Sequence, residues 1–307
     1  MTIAVVGSSN VDFSARVTTL PVPGQTVLAK AYTTGPGGKG CNQAMAVSRL
    51  GVPPIFISKI GDDLLGRDLL ETLKAEGLDT NNLIVASDAQ TGTALISIED
   101  SGENMITVAG GANMMMTRAD LHDKRHVLRD CKYLLLQLEC PVVAVDCAMK
   151  YAREGTAKIM LDPAPVPDRV VLRDLMVLTD IVTPNTTECH AMTGIMPDDM
   201  ATARHAAKIL HDMGPETVII KMGGKGAFYS ANGQTGLVPP FDVSPVDTVA
   251  AGDCFNAGLA VALHSGQSLP DAVRFACATG ALATTRPGAA DAAPTLSQVM
   301  SLIEENS

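Results

Sequence analysis

Short apolar runs recur along this chain, and each is apolar at consecutive positions rather than at every second one. Ile3-Ala4-Val5-Val6, Ile55-Phe56-Ile57, Tyr133 to Leu138, Ile159-Met160-Leu161, Ile181-Val182 and Val218-Ile219-Ile220 are of this kind. A strand that is apolar on both faces must be covered on both faces, the condition met in a parallel sheet with helices above and below it. From Tyr133 onward such runs alternate regularly with helical segments, for example Pro141 to about Glu154 and Met200 to Met213. The pattern predicts an α/β fold of three layers, α/β/α, around a mostly parallel central sheet. No repeat, low-complexity tract or linker divides the 307 residues, so a single domain, 1–307, is expected.

Two stretches depart from the alternation. Val17 to Thr34 carries β-branched residues broken by Pro21, Pro23 and Gly24, while Thr91 to Ile98 and Asn104 to Val108 read as a hairpin around Asp100-Ser101-Gly102. Together, over about 11–35 and 91–110, they predict a small peripheral β-sheet. Arg118 to Arg129 is expected as one helix that puts His122 and His126 on a common face. With no third ligand in view, these histidines read as solvent-facing rather than metal-binding.

Composition narrows the function. Hydrophobic residues make up 46% of the chain, enough for a sizeable core, but Trp is absent and aromatics are only 3%, which disfavours stacking on nucleic-acid bases. A net charge of −10 also opposes binding a polyanion by general attraction, so an anionic ligand needs local donors. No apolar run approaches the roughly 20 residues that span a bilayer, and Met1 to Val11 does not read as a signal peptide. Seven cysteines without a C-x-x-C pair suggest free thiols and a cytoplasmic setting.

Ala250-Ala251-Gly252 leads from Asp247 into an apolar helical run, Phe255 to Leu263, with Asp253 at the junction. Small residues allow close approach of a ligand, and the first N–H groups of a helix lack intrahelical partners, so the turn is an anion site. A carboxylate beside such donors suits phosphoryl transfer to a hydroxyl. An ordinary helix start with Asp253 as an N-terminal charge explains the same residues. A helix N-terminus should lower the pKa of Asp253, leaving it ionised and weakly basic, which a loose transition state tolerates.

Other polar residues stand at expected strand ends. Asn10 and Asp12 follow the first strand, and Glu139 follows the run from Tyr133. Gly35-Pro36-Gly37-Gly38-Lys39-Gly40-Cys41-Asn42-Gln43 runs into a helix, Ala44 to Leu50, closed by Gly51. It is neither a P-loop nor a dinucleotide fingerprint, because Gly40 stands where a P-loop has Ser or Thr, yet it brings Lys39 and Asn42 close to a ligand. Met222-Gly223-Gly224-Lys225-Gly226 has the composition of a phosphate loop. Asn185 and Glu188 share one side of an early helical turn, where they either organise hydrated Mg²⁺ or form a capping box.

In this order, Asn10 and Asp12, the Gly-Gly-Lys-Gly-x-Asn segment, Glu139, Asn185-x-x-Glu188, Gly223 to Gly226 and Asp247-Thr248-x-Ala-Ala-Gly-Asp253 resemble the ribokinase-like (phosphofructokinase B-type) sugar kinases. The resemblance runs from Ile3 to about Pro294. It implies a small β-sheet lid that also pairs in a homodimer, and ATP-dependent phosphorylation of the ribose 5-hydroxyl. It assigns Asn10, Asp12, Gly38, Lys39, Asn42 and Glu139 to the sugar, Asp253 to the catalytic base, and Ala250, Ala251 and Gly252 to an anion hole. Asn185, Glu188, Lys221, Gly223, Gly224, Lys225, Gly226, Gly252 and Cys277 fall on nucleotide positions, Asn185 and Glu188 with Mg²⁺.

A monovalent cation, K⁺, is implied beside the anion hole, at Asp247, Val249, Ala283, Arg286, Gly288 and Ala292. The last departs from the family, which commonly offers a hydroxyl there; Cys277 and Cys41 depart as well. Against this reading stand a kinase for deoxyribose, a ketohexose or adenosine, and a sugar-binding module without chemistry. A nicotinamide dehydrogenase lacks its glycine fingerprint here.

Overall fold

The computed structural model describes residues 2–101 and 103–306; Gly102, expected at the hairpin tip, lies outside them. The large sheet has nine strands in the spatial order Gln234–Val238, Ala227–Ala231, Thr217–Lys221, Ile181–Val182, Lys158–Leu161, Tyr133–Leu136, Ile3–Val6, Ile55–Gly61 and Leu83–Ala86. All neighbours from Thr217–Lys221 to Leu83–Ala86 pair in parallel. Ala227–Ala231 and Gln234–Val238 extend the edge antiparallel through a tight turn, Asn232-Gly233, with both residues at positive φ.

The alternation of side chains along Ile3–Val6 shows why the sheet is apolar throughout. Ile3 and Val5 join one core with helices Lys39–Arg49, Ala251–His264 and Leu269–Thr284. Ala4 and Val6 face the opposite core, shared with Val142–Ala152 and Met200–Asp212. Helices on both faces of one sheet make the three layers that the apolar runs predicted.

The second sheet has four strands in the order Ala31–Gly37, Asn10–Val17, Gly92–Glu99 and Asn104–Ala109. It stands at the carboxyl edge of the large sheet because Asn10 follows closely on Ile3–Val6. Tyr32, Leu95, Ile106 and Val108 are exposed on it, and Asn104–Ala109 is exposed along its whole length.

Three elements differ from expectation. Arg118 to Arg129 is two short helices, Arg118–His122 and Arg125–Asp130. Three-residue turns from Lys124 N–H to Leu121 O and from Val127 N–H to Lys124 O interrupt the helical ladder, so the two histidines share no helix. The helix expected at Ala44 begins at Lys39, because Gly38 at φ 86° turns the chain into it earlier. The helix expected at Phe255 likewise begins at Ala251, which places Gly252 and Asp253 inside its first turn. Among the described residues no helix is long and apolar enough to cross a membrane.

Helix Lys39–Arg49 meets the first strand at a seam of two glycines. A Cβ on Gly40 would lie 2.6 Å from the carbonyl carbon of Gly7, and no side-chain rotation relieves a clash with backbone. Gly40→Ala should therefore destabilise the protein by about 1–3 kcal/mol, although alanine is the better helix former. Urea unfolding midpoints measure this, and an unchanged or raised midpoint would contradict the seam.

Candidate active site

The first strand delivers Ser8, Ser9 and Asn10 to the sheet's carboxyl edge. Asn113 fixes this segment: its Oδ1 accepts from Ser9 N–H at 2.8 Å, and its Nδ2 donates to Ser9 O at 3.0 Å and to Asn10 Oδ1 at 2.8 Å. Asp12 points back beneath the small sheet, next to Gly37, where any Cβ would overlap its carboxyl group. Burial, then the nearby Glu139 and Asp253 carboxylates, push Asp12 up to about 7. Its Oδ1 is buried without a partner among the described residues. Glu139 accepts from Ser8 Oγ at 2.5 Å and from the Lys39 backbone N–H at 3.0 Å, joining the ends of two strands to the start of a helix.

Lys39 is half-buried among acids. Burial alone would favour its neutral form, but Asp253, Asp162, Glu139 and Glu188 together hold its pKa above the usual lysine value. It remains a cation.

Asp253 is 4% exposed. Asn42 Nδ2 donates to its Oδ2 at 2.9 Å and Gln43 Nε2 to its Oδ1 at 3.1 Å. Burial raises the carboxyl to about 6; Lys39 opposes the rise, Asp162 adds to it, and the Asn42 and Gln43 amides oppose it. This reverses the expectation of a lowered pKa. A helix terminus stabilises a carboxylate by about 2 kcal/mol at most, and here the cost of removal from water outweighs that stabilisation. A pKa near neutrality suits a proton acceptor better.

Ala250 precedes this helix at φ 58°, in the left-handed region where a non-glycine residue is strained. Among the described residues the N–H groups of Gly252 and Asp253 have no hydrogen-bond partner. Two unpaired amides and a buried carboxylate thus share one helical turn.

On the far side of that turn lies a cavity of about 390 Å³. Lys221, Gly223, Gly224, Gly226, Ala251, Gly252 and Cys277 line it, with Phe241, Val243 and Phe255 as an apolar end. Lys225 does not join them: its Nζ donates to Asp198 O at 2.9 Å on the surface. Lys221 Nζ pairs with Asp162 Oδ1 at 3.0 Å, and the backbone of Lys221 bridges to Asn185. Asn185 and Glu188 form the reciprocal capping box, with Glu188 N–H to Asn185 Oδ1 and Asn185 N–H to Glu188 Oε2, both 2.8 Å. Burial and then Asp162 raise the Glu188 pKa, while Lys221 opposes the rise. Asn185 and Glu188 are absent from the cavity lining.

A second cavity of about 270 Å³ lies under the small sheet, where Asp12, Asp247, Val249 and Gly288 meet. The Asp247 carboxylate ties two loops together, accepting from Val249 N–H at 3.0 Å and from Gly288 N–H at 3.2 Å. Ala283 and Ala292 are fully buried beside them, whereas Arg286 is exposed. Arg49 Nη1 holds the carbonyls of Asp291 at 2.7 Å and Ala293 at 3.0 Å from behind. All seven cysteines are free and buried, and burial pushes Cys277 up to about 12, which makes it a poor nucleophile.

Ser8, Gln43, Asn113, Gln137 and Asp162 were not singled out as site residues by the sequence. Asp162 ends a predicted strand, as Glu139 does, so strand-end position alone would have flagged it. Gln43 stands beside Asn42 in the glycine-rich segment, but nothing local marks Ser8, Asn113 or Gln137, and the partners of these four lie between 32 and 210 residues away.

The pfkB family carbohydrate kinase model matches residues 2–296. The chain is 37% identical over 303 residues to the ribokinase of Haemophilus influenzae, covering 99% of this chain and 98% of that one. It is 31% identical to a deoxyribokinase of Salmonella typhi, over 97% of each. The structure of an Arabidopsis thaliana ribokinase complexed with ribose and ATP superposes with a TM-score of 0.89 at 30% identity, over 99% of this chain and 98% of that one. With one cavity lined by Thr248, Ala251 and Gly252 and a second by Asp247 and Val249, a nine-stranded sheet and this match along nearly its whole length, the chain belongs to the pfkB family of carbohydrate kinases, phosphotransferases that act on a sugar hydroxyl.

Proposed function

We propose that this kinase transfers the γ-phosphoryl group of ATP to the 5-hydroxyl of D-ribose. The observation that carries the reading is Asp253, whose carboxylate bonds Asn42 on one side while Ala251 and Gly252 of its own turn line the larger cavity on the other. Similarity to ribokinases over the full length, one of them solved with ribose and ATP, supports the choice of substrates.

In this reading Asn10, Asp12, Gly38, Lys39, Asn42 and Glu139 take the sugar hydroxyls, and the small sheet closes over them as a lid. Asp253 accepts the proton of the attacking hydroxyl. The backbone of Ala250, Ala251 and Gly252 receives the charge that develops on the migrating phosphoryl group. Lys221, Gly223, Gly224 and Gly226 hold the phosphates and Cys277 borders the base. Lys225, bonded to Asp198, is left with a surface role.

Magnesium fits the donor chemistry, since the half-buried Glu188 carboxylate is fixed against Asn185, and burial and then the Asp162 carboxylate raise its pKa. Among the described residues no cluster of metal-binding side chains encloses an ion, so Mg²⁺ would keep most of its waters. When bound, it supplies neutralisation of phosphate charge. The segments holding Asp247, Val249, Ala283, Arg286, Gly288 and Ala292 offer one carboxylate and backbone carbonyls, a set suited to K⁺, with no hydroxyl from Ala292. The exposed apolar residues of the small sheet support a homodimer formed through it. A cytoplasmic setting fits seven free thiols.

A panel of pentoses, hexoses and nucleosides in a coupled ATP-consumption assay tests the substrate. Ribose should give the highest kcat/KM, and Asp253→Asn should lower its turnover on the order of 10²–10⁴-fold; a better deoxyribose or nucleoside substrate would overturn the ribose reading. The carboxyls of Asp253 at about 6 and Asp12 at about 7 both have to be ionised. The acid limb of kcat/KM should therefore fall between about pH 6 and 7 rather than near the usual aspartate value of about 4. Activity holding level down to about pH 4.5 would contradict this. Replacing K⁺ by tetramethylammonium should depress turnover; equal rates in both salts would remove the monovalent cation from the scheme.

A further inference from the structure

We infer that Gln43 is a positioning residue for the base: its side-chain amide, braced from behind by Gln137, fixes the Asp253 carboxylate for proton transfer. The inference rests on the reading that Asp253 is the proton acceptor.

The row of contacts is short and directional. Gln43 Nε2 donates to Asp253 Oδ1 at 3.1 Å, and Gln137 Nε2 donates to Gln43 Oε1 at 2.6 Å. An ionised carboxylate only accepts, so Gln43 has to present its nitrogen to Asp253 and its oxygen backwards. Gln137 supplies the donor that this oxygen then requires. One charge thus orients two amides in sequence.

Packing does not call for glutamine here. Gln43 is 1% exposed and Gln137 is fully buried, among residues such as Cys41, Ala44 and Cys254 that are small and apolar. Burying an amide costs free energy unless both of its ends are bonded. Gln43 meets that condition entirely within the protein, which separates it from Asn42. Among the described residues the Oδ1 of Asn42 has no partner, as expected of a residue that also meets a ligand, and Gln137 Oε1, which faces Gly7, has none either, so the row is fully bonded at Gln43 but not at its brace. Gln43 has no such free atom and serves Asp253 alone.

The space for this row is provided by Gly7. A Cβ there would lie 1.9 Å from Gln137 Oε1, so any other residue would displace the brace. Asp253 also feels Lys39 and Asp162, and it acts in turn on Asp12. Among the described residues only Asn42 and Gln43 hydrogen-bond its carboxylate. Removing one of two bonds to the ionised form should make that form harder to reach and the carboxylate freer to rotate.

The test is Gln43→Met, similar in length but without a donor, with Gln43→Glu and Gln137→Leu alongside. Profiles of kcat and kcat/KM against pH are measured with ribose and ATP. In Gln43→Met the Asp253 step of the acid limb should move up by about one pH unit towards the Asp12 step, carrying the midpoint of the limb up by less than that, plateau kcat should fall on the order of tenfold, and KM for ribose should stay within about threefold. Gln43→Glu, which keeps the shape but sets a second acid against Asp253, should move the limb further in the same direction. Gln137→Leu should move it the same way by less. An unmoved limb in folded Gln43→Met overturns the inference, and if that variant does not fold, an unmoved limb in Gln43→Glu or Gln137→Leu does so. Absence of ribose turnover in the unaltered protein counts against the kinase reading itself, whereas normal turnover with unmoved limbs counts only against Gln43.

Discussion

A carboxylate cut off from water must be solvated by the protein, and Asp253 sets this requirement for everything around it. Water would bond an exposed aspartate several times over. Here two side-chain amides, one half-buried lysine and the start of a helix replace that shell. They do so incompletely, so the acid sits near neutrality instead of near its ordinary value. The incompleteness is what makes a base of it: a carboxylate fully satisfied by its surroundings holds protons too weakly to take one from a hydroxyl.

Bringing those partners into range demands close approach between backbones. Asn42 and Gln43 are adjacent on one helix, yet both reach the same carboxylate on another. Helices Lys39–Arg49 and Ala251–His264 can meet so closely because the first is seated against the strand end at Gly7 and Gly40. A similar economy operates along the second helix, where Gly258 packs against Thr279 of Leu269–Thr284, with room for little more than hydrogen. The small residues that look featureless in composition therefore set the reach of every polar side chain in the site.

The layered fold was legible because burial on both faces leaves a signature in consecutive residues, as along Ile3–Val6. The residues at strand ends were legible for the same reason, since the end of an apolar run marks the edge where ligands bind. Helix starts at Lys39 and Ala251 were placed too late because glycine and alanine turns carry little periodicity, and the entry depends on backbone angles at Gly38 and Ala250. The antiparallel edge was signalled by Asn232-Gly233, a hairpin turn pair between two β-rich runs, and was passed over. Gln137 and Asn113 were invisible for another reason. Their partners lie far away in the chain, and a lone buried amide looks like any polar residue at the end of an apolar run.

The charge of the site reverses a simple reading of its ligand. Asp12, Glu139, Asp162, Glu188 and Asp253 outnumber Lys39 and Lys221, within a chain of net charge −10, and yet the expected donor is a polyanion. Long-range attraction does not bring it there. What holds it are dipoles at contact distance, the unpaired amides of Gly252 and Asp253 and the glycine-rich strand end, whose effect fades within a few ångströms. Because they act only at contact, these dipoles distinguish a phosphoryl group in place from one displaced by an ångström, which a cluster of lysines would not. The surplus of acid then has a consistent role. It keeps Lys39 charged despite partial burial, adds to the rise that burial imposes on Asp12 and Asp253, and leaves the developing negative charge of the reaction to the backbone of one helical turn.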